Sequence, residues 1–191
     1  KLTAEKESIN VVFDQVGTPT YAGDFANVIY TITQRNDYSE IKNQVYHDYQ
    51  YIAGVDEVGR GPLAGPVVAC AVIMKKDSKI EGVTDSKKLT RKKMEKLYDQ
   101  IIKDSISFSF GYANNRKIDQ INIKEATRLA MKEAVEGLKI RPDICLIDAE
   151  RIDTDIEQKN IVKGDLYDYA ISCASILAKV KRDHIMINFS K

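Results

Sequence analysis

Apolar and polar positions along the chain predict five strands. Apolar runs at residues 52–55 and 67–74 flank a Gly/Pro-rich segment that excludes regular structure, which indicates two strands joined by a loop. Strict alternation at residues 106–112 predicts a strand that buries its aromatic face. The apolar run at residues 144–147 predicts a further buried strand, and residues 161–162 predict one more short strand.

Between these strands, apolar residues at helical spacing predict three helices. They cover residues 91–103, 122–138 and 166–185, and Thr90 is a suitable N-cap for the first of them. Strands that alternate with helices after an antiparallel pair are typical of an α/β domain with a mixed sheet, which here covers residues 50–191.

Residues 1–49 do not continue this pattern. Segments 9–20 and 22–33 predict a strand, a turn and a helix from a different α/β unit, and the polar residues 34–50 predict a junction. We therefore expect two parts: an extraneous N-terminal segment with its linker over residues 1–49, and the α/β domain over residues 50–191.

Composition agrees with a globular protein of one domain or slightly more. The 191 residues are 43% hydrophobic and 30% charged, which excludes a fibrous or disordered chain. No apolar run approaches the roughly 18 residues that a membrane-spanning helix needs. Because Cys70, Cys145 and Cys173 lie far apart in apolar runs, we expect buried thiols in a reducing compartment, and hence a cytoplasmic protein.

Charge is distributed unevenly along the chain. Although 29 Lys and Arg nearly balance 28 Asp and Glu, residues 1–50 hold four basic and seven acidic residues, and residues 75–103 hold ten basic and five acidic residues. The latter segment is the strongest candidate for a surface that contacts phosphate groups.

Four carboxylates follow predicted strands or turns, namely Asp56, Glu57, Asp148 and Asp165. Carboxylates gathered at strand ends repel one another unless cations neutralise them. Their oxygen atoms suit Mg²⁺ or Mn²⁺, and two such ions together support phosphodiester hydrolysis. A single Asp in such a place more often caps a turn or a helix, but the adjacent Asp56 and Glu57 have no packing reason to end an apolar strand.

Two further features are candidates for binding a nucleic acid. Gly59 and Gly61 let the backbone approach a ligand closely, and Arg60 between them offers a charged fork to a sugar-phosphate, although a tight turn would use the same glycines. Lys87 and Lys88 lie where the amides of a helix start would also attract phosphate, although a solvated charge run has the same composition.

In combination these segments resemble the ribonuclease HII family over about residues 50–186. The matching blocks occur in the family's order: GVDEVGRGPLAGPVVACAVI at 54–73, TDSKKL at 84–89, INIKEATRLAM at 121–131, LIDA at 146–149, and KGD followed by ISCASILAKVKRD between 163 and 183. The resemblance implies an α/β, RNase H-like fold, with a five-stranded mixed sheet, helices on both faces, and a C-terminal helical part that is missing here.

The same resemblance implies roles for individual residues. The family's catalytic, metal-binding acids are matched by Asp56, Glu57, Asp148 and Asp165. Its substrate-binding positions are matched by Gly59, Arg60 and Gly61, in the segment that recognises the 2′-hydroxyl, and by Ser86 and Lys87, in a segment that holds substrate phosphate.

The activity implied is metal-dependent, endonucleolytic hydrolysis. It cleaves the RNA strand of RNA–DNA hybrids, and duplex DNA 5′ to an embedded ribonucleotide, leaving a 5′-phosphate and a 3′-hydroxyl. The cofactor implied is Mn²⁺ or Mg²⁺ in a two-metal site. Recognition through the 2′-hydroxyl is reasonable because that group distinguishes RNA from DNA at a single position. We expect a monomer with no membrane partner.

Two departures from the family pattern bear on activity. Many relatives have Asp-Gly where this chain has Asp148 followed by Ala149, a change that should leave the carboxylate in place. The family also continues beyond the position of Lys191, through helices and a Tyr that stacks at the substrate junction. We therefore expect a complete acid cluster on a domain that lacks this clamp and binds substrate more weakly.

A second resemblance concerns residues 10–32, which are similar to a fragment of the short-chain reductase that forms dTDP-rhamnose. That family's G-x-x-G-x-x-G cofactor loop is absent from the sequence. Three functions stay open: a metal-dependent ribonuclease, which we favour, an inactive or binding-only nucleic-acid module, and a sugar-nucleotide reductase fragment.

Overall fold

The computed structural model describes residues 42–83 and 89–190, and the strands in this part of the chain form one sheet. They are β1 (Ile52–Val58), β2 (Val67–Met74), β3 (Ser105–Ala113), β4 (Ile144–Asp148) and β5 (Glu157–Ile161). Their order is β3-β2-β1-β4-β5; β2 runs antiparallel to β1 and β3, whereas β1, β4 and β5 are parallel. The predicted mixed sheet of five strands is confirmed.

Helices cover both faces of this sheet. They are α1 (residues 42–48), α2 (Arg91–Asp104), α3 (Asn115–Glu136), α4 (Gly164–Tyr167) and α5 (Tyr169–Phe189). α3 packs on one face, and α5 packs on the other with α2 beside it. None of the helices in the described residues is long and apolar enough to cross a membrane.

Two glycines allow these helices to approach the sheet closely. A Cβ atom on Gly54 in β1 would overlap the backbone of Ala170 in α5, and one on Gly111 in β3 would overlap the carbonyl oxygen of Ala130 in α3. At these two positions the two faces of the sheet are therefore in direct contact with helix backbone.

Helix boundaries differ from the sequence expectation at two places. Thr90 caps α2 as predicted, and its hydroxyl accepts a hydrogen bond from the amide of Lys93 at 3.4 Å. α3, however, begins before residue 122, and Asn122 interrupts it with a φ of 66°. The predicted helix over residues 166–185 is divided into α4 and α5, because the carboxylate of Asp168 accepts amide hydrogen bonds at the start of α5.

The strands also correct two details. Asp56 and Glu57 lie inside β1 rather than after it, because the pairing of β1 with β2 continues as far as Val58. The last strand is the polar segment Glu157–Ile161, not residues 161–162, because it pairs only with β4 and its sequence carries no apolar alternation.

The predicted buried face of β3 is also wrong. Ile106 and Tyr112, on the aromatic face, are 38% and 41% exposed, whereas Ser107, Gly111 and Ala113 on the opposite face are buried. The reason is the close approach of α3, which only small side chains permit. Phe108 and Phe110, between Ile106 and Tyr112, are half-buried at the edge of the core formed with α2 and α5.

Residues just before β1 pack on the same sheet. Val45 in α1 is fully buried beside Ile52 and Ile171, and the hydroxyl of Tyr46 donates to the carboxylate of Asp168 at 3.0 Å. Contacts group Tyr38 to Lys191 into one compact unit. The division at residue 49 stays a prediction, but the part of the N-terminal segment from residue 42 onward belongs with the sheet.

Candidate active site

All four predicted metal-binding acids line one cavity at the end of the sheet. The cavity has a volume of about 410 Å³, and its walls are formed by Asp56, Glu57, Val58, Gly59, Arg60, Gly61, Pro62, Asp148, Asp165, Ser175 and Lys179. β1 and β4 are parallel neighbours, so the acids near their carboxyl ends meet at the same edge of the sheet. The predicted loop residues Gly59, Arg60 and Gly61 lie in the same walls.

Asp56 and Glu57 enter this cavity from β1. Burial raises the pKa of Asp56 well above its usual value, and repulsion by Glu57 and Asp148 adds to this, whereas a hydrogen bond from Ser175 in α5 opposes it. Burial likewise raises the pKa of Glu57, while the neighbouring guanidinium of Arg60 lowers it. The pair is thus a concentration of negative charge with little solvent to stabilise it.

Asp148 enters the cavity at the end of β4, and Asp165 enters it from the segment that joins β5 to α5. The amide of Gly164 donates to Oδ1 of Asp148 at 2.8 Å, which orients that carboxylate. Lys163 turns the chain with a left-handed φ of 57°, and Asp165 then lies buried in the first turn of α4. An added Cβ at Gly164 would lie 2.5 Å from Cδ1 of Ile171, so a larger residue here would require that buried side chain to move.

The composition of this cavity suits divalent cations. Its donors are four carboxylates, the hard oxygen ligands that Mg²⁺ and Mn²⁺ prefer, and a cation would relieve the repulsion that Asp56 experiences. Among the described residues, no three Asp, Glu, His or Cys side chains stand close enough together to enclose an ion as they are. The donor set therefore fits such a metal in kind, and the carboxylates would have to draw together around it.

The loop that follows β1 is anchored by a side chain from α5. Arg182 is buried, and its guanidinium donates to the carbonyl oxygens of Pro66 at 3.0 Å and Ala64 at 2.7 Å. Gly59 has a φ of 110°, and a Cβ there would lie 2.5 Å from the carbonyl oxygen of Pro66. Gly61, in contrast, has nothing within 4 Å of an added Cβ, so its backbone is open to a ligand.

Two residues near the cavity, Arg182 and Glu150, were not singled out from the sequence, whereas Lys179 was noted at helical spacing with Ser172 and Ser175. Arg182 anchors the loop, and Glu150 binds Arg60 with an Nη1–Oε1 distance of 3.0 Å. Lys179 lines the cavity and pairs with Asp183 at 2.6 Å. The partners of Arg182 and Glu150 are distant in sequence, and the partner of Lys179 follows one helical turn later. In the sequence, the only signals for these residues are the KVKRD block and the acid that follows LIDA.

The other residues singled out from the sequence lie outside the described residues or away from the cavity. Ser86 and Lys87 fall outside the described residues, so their contact with substrate phosphate stays a prediction. Cys70, Cys145 and Cys173 are buried free thiols, as expected from their apolar surroundings. Burial raises the pKa of Cys145 to about 12, which makes it a poor nucleophile at neutral pH.

Comparison with known proteins places this geometry in a family. The family model described as Ribonuclease HII matches residues 53–191. The ribonuclease HII of Caldicellulosiruptor bescii is 52% identical over 161 residues, which cover 83% of this chain and 78% of that protein. Because a match that covers 83% of the 191 residues is longer than residues 50–191, it must include part of the segment before residue 50. This agrees with the packing of α1 on the sheet.

Solved structures show the same fold. The crystal structure of ribonuclease H2 from Pyrococcus horikoshii OT3 superposes with a TM-score of 0.65 at 28% identity, covering 73% of this chain and 75% of that one. Bst-RNase HIII in complex with Mn²⁺ superposes with a TM-score of 0.61 at 19% identity, covering 76% and 56% of the two chains. The second likeness supports the fold alone.

The N-terminal half has a second match. A family model described as the RmlD substrate binding domain matches residues 1–94, which include the segment that resembles a dTDP-rhamnose-forming reductase. It overlaps the first match over residues 53–94, where β1 and β2 pair in the middle of the sheet described above.

Proposed function

Because the chain belongs to the ribonuclease HII family and is a ribonuclease H endonuclease, we propose that it cleaves the RNA strand of RNA–DNA hybrids and duplex DNA that carries single ribonucleotides. The cut would fall 5′ to the ribonucleotide and leave a 5′-phosphate and a 3′-hydroxyl. The observation that carries this proposal is the shared cavity, whose walls combine four carboxylates with the open Gly-Arg-Gly loop.

The four acids are assigned to metal binding. We propose that Asp56, Glu57, Asp148 and Asp165 hold two Mn²⁺ or Mg²⁺ ions, and such ions, when bound, activate water and stabilise negative charge on a phosphate. The chain's own contribution is orientation, since Ser175 hydrogen-bonds Asp56 and the amide of Gly164 hydrogen-bonds Asp148. No Ser, Cys or His is needed as a nucleophile in this chemistry.

The Gly-Arg-Gly loop is assigned to recognition of the ribonucleotide. An added Cβ at Gly61 would meet nothing within 4 Å, so there is room for a sugar to approach this part of the backbone. Arg60 is 38% exposed in its side chain and offers several N–H donors beside the acids. A 2′-hydroxyl can both donate and accept hydrogen bonds, which is the property that lets a protein distinguish RNA from DNA here.

A substrate panel tests the proposal. Duplexes that are all DNA, all RNA, RNA–DNA hybrid, or DNA with one ribonucleotide are incubated with the full chain and Mg²⁺ or Mn²⁺, and the product ends are mapped. We expect cuts only in the last two duplexes, each with a 3′-hydroxyl. Cleavage of all-DNA duplex at the same rate, or cuts 3′ to the ribonucleotide, would overturn the proposal.

A binding-only module is the second candidate. It is favoured by the fact that no three of the described acids already enclose an ion site. Titration calorimetry with Mn²⁺, run beside the cleavage panel, separates the two functions. Duplex binding with no product, whether or not Mn²⁺ is taken up, would favour the binding module, whereas Mn²⁺ uptake with product favours the nuclease.

A further inference from the structure

The carboxylate of Glu150 lies between two arginines from different parts of the fold. Its Oε1 accepts from Nη1 of Arg60 at 3.0 Å, and its Oε2 accepts from Nε of Arg128 in α3 at 3.1 Å. The side chain of Glu150 is only 10% exposed. Each oxygen thus has one guanidinium partner, so the charge of the largely buried Glu150 carboxylate is compensated.

Arg60 has a second acid within reach. Its Nη1 atom, which contacts Glu150 at 3.0 Å, lies 3.6 Å from Oε1 of Glu57. Glu57 is one of the acids assigned to metal binding. A guanidinium that moved fully onto Glu57 would neutralise a carboxylate that the cations require, and would also be withdrawn from the substrate.

The backbone places Glu150 at this position by a sharp turn after β4. Ala149 has a left-handed φ of 52°, and the amide of Glu150 donates to the carbonyl oxygen of Asp148 at 2.6 Å. Asp148 therefore faces the cavity while Glu150, two residues on, is directed towards Arg60 and α3. A non-glycine residue with such a φ is uncommon, which indicates that the surrounding contacts hold this turn.

Arg128 is itself fixed on its far side. Its Nη1 atom donates to Oε1 of Glu125, one helical turn earlier in α3, at 3.0 Å. The chain of contacts therefore runs from α3 through Arg128 and Glu150 to Arg60 at the cavity. Glu125 touches Arg128 but not Arg60, so it offers a matched control for the charge of Glu150.

We propose that Glu150 is a positioning residue that, with its carboxylate shared between Arg128 and Arg60, keeps Arg60 directed at substrate and away from Glu57. The assignment rests on the proposed function for the part that concerns substrate. The part that concerns Glu57 rests on the proposed assignment of that acid to metal binding and on the distances among Glu57, Arg60 and Glu150, and it can be measured without any nucleic acid.

The first test measures duplex binding without catalysis. The affinity of the full chain for duplex DNA with one ribonucleotide is compared with its affinity for the all-DNA duplex by fluorescence anisotropy, in the absence of divalent metal. In Glu150→Gln we expect the preference for the ribonucleotide to fall about tenfold. Loss of a residue that orients a binding group usually has an effect of this size. Glu125→Gln should keep the wild-type preference.

The second test measures Mn²⁺ binding by titration calorimetry. Glu150→Gln should bind Mn²⁺ about tenfold more weakly, because Arg60 then pairs with Glu57. Arg128→Gln, which frees Glu150 on one side, should give a smaller loss in both tests and guards against a folding defect in Glu150→Gln. Thermal melting of each variant accompanies the titrations.

The outcomes separate this proposal from the proposed function. If wild type shows no preference for the ribonucleotide, the proposed function fails, and the Mn²⁺ titration alone decides whether Glu150 restrains Arg60. If wild type shows the preference and Glu150→Gln equals Glu125→Gln in both tests, the positioning role is overturned while the proposed function stands.

Discussion

Arg182 in α5 donates a hydrogen bond to the carbonyl oxygen of Ala64 at 2.7 Å, across 118 positions of the chain. A second bond from the same guanidinium reaches Pro66 at 3.0 Å. The loop that carries the Gly-Arg-Gly segment is therefore fixed by a buried side chain from the far end of the domain, and its shape depends on the presence of α5.

Replacement of Arg182 by lysine should loosen this loop. Lysine keeps the charge but lacks the planar fork, so one of the two carbonyl oxygens loses its donor, at a cost of about 1–3 kcal/mol in the free energy of unfolding. Cleavage should fall as well, because the loop loses its fixed position. Urea denaturation and the cleavage rate measure the two effects. Arg141→Lys, an exposed pair with Asp155, is the control and should change neither.

Gly61→Ala separates stability from substrate contact. An added Cβ meets nothing within 4 Å, so the melting temperature should stay at the wild-type value. If the backbone at Gly61 contacts the ribonucleotide, the methyl group should weaken duplex binding, measured by fluorescence anisotropy. Gly59→Ala should instead lower the melting temperature, because its φ of 110° and the nearby Pro66 carbonyl exclude a side chain. Wild-type duplex affinity in Gly61→Ala would contradict the assignment of this loop.

Tyr46→Phe tests whether α1 belongs to the domain. The hydroxyl of Tyr46 donates to the buried carboxylate of Asp168, so its loss should lower the free energy of unfolding by about 1–3 kcal/mol. Tyr49→Phe is the matched control, since its partner Glu157 is exposed, and it should have a much smaller effect. Equal, negligible effects of both changes would show that α1 adds little to the domain.

The buried thiols should make the fold less stable in alkali. Burial raises the pKa of Cys145 and Cys173 to about 12, above the ordinary value of 9.0. The folded state then holds these protons more tightly than the unfolded state, so the free energy of unfolding falls as the pH rises from about 9 towards 12. Urea denaturation at neutral pH and at about pH 10 measures the slope, which Cys173→Ala should reduce. Rapid reaction of the native thiols with a thiol reagent at neutral pH would contradict their burial.

The sequence predicts the buried parts of this fold better than its edges. β2, and β4 as far as Ile147, are apolar because both faces of the sheet are covered, and such runs identify strands directly. β5 pairs on one side only and is polar, so backbone pairing rather than side-chain pattern defines it. In β3 the aromatic alternation indicates the strand correctly but not the buried face, which the close approach of α3 at Gly111 decides.

Some residues of the candidate site could likewise be predicted from the sequence, and others could not. Asp56, Glu57 and Asp148 are predictable because strand ends bring them to one edge of the sheet. Glu150 and Arg182 are not, because each acquires its role from a partner that folding brings close, Arg60 in the first case and Ala64 in the second. A sequence pattern records local periodicity, and such contacts between distant segments leave no periodic mark.

We expect a ribonucleotide-containing duplex to be cut at the acid-lined cavity. Asp148→Asn tests it most directly, because asparagine can still accept from the amide of Gly164 and so keep the fold while it removes a charge. Asp153→Asn, at an exposed position paired with Lys132, is the matched control.

The measurement is the rate of cleavage of duplex DNA with one ribonucleotide by wild type and both variants in Mn²⁺, with melting temperatures recorded alongside. Loss of several kcal/mol of charge stabilisation predicts that Asp148→Asn cleaves at least about a hundredfold more slowly than wild type. Its melting temperature should be unchanged. Asp153→Asn should cleave at the wild-type rate. Cleavage by Asp148→Asn at the wild-type rate would show that the duplex is cut without the Asp148 carboxylate and therefore not by this cluster of acids.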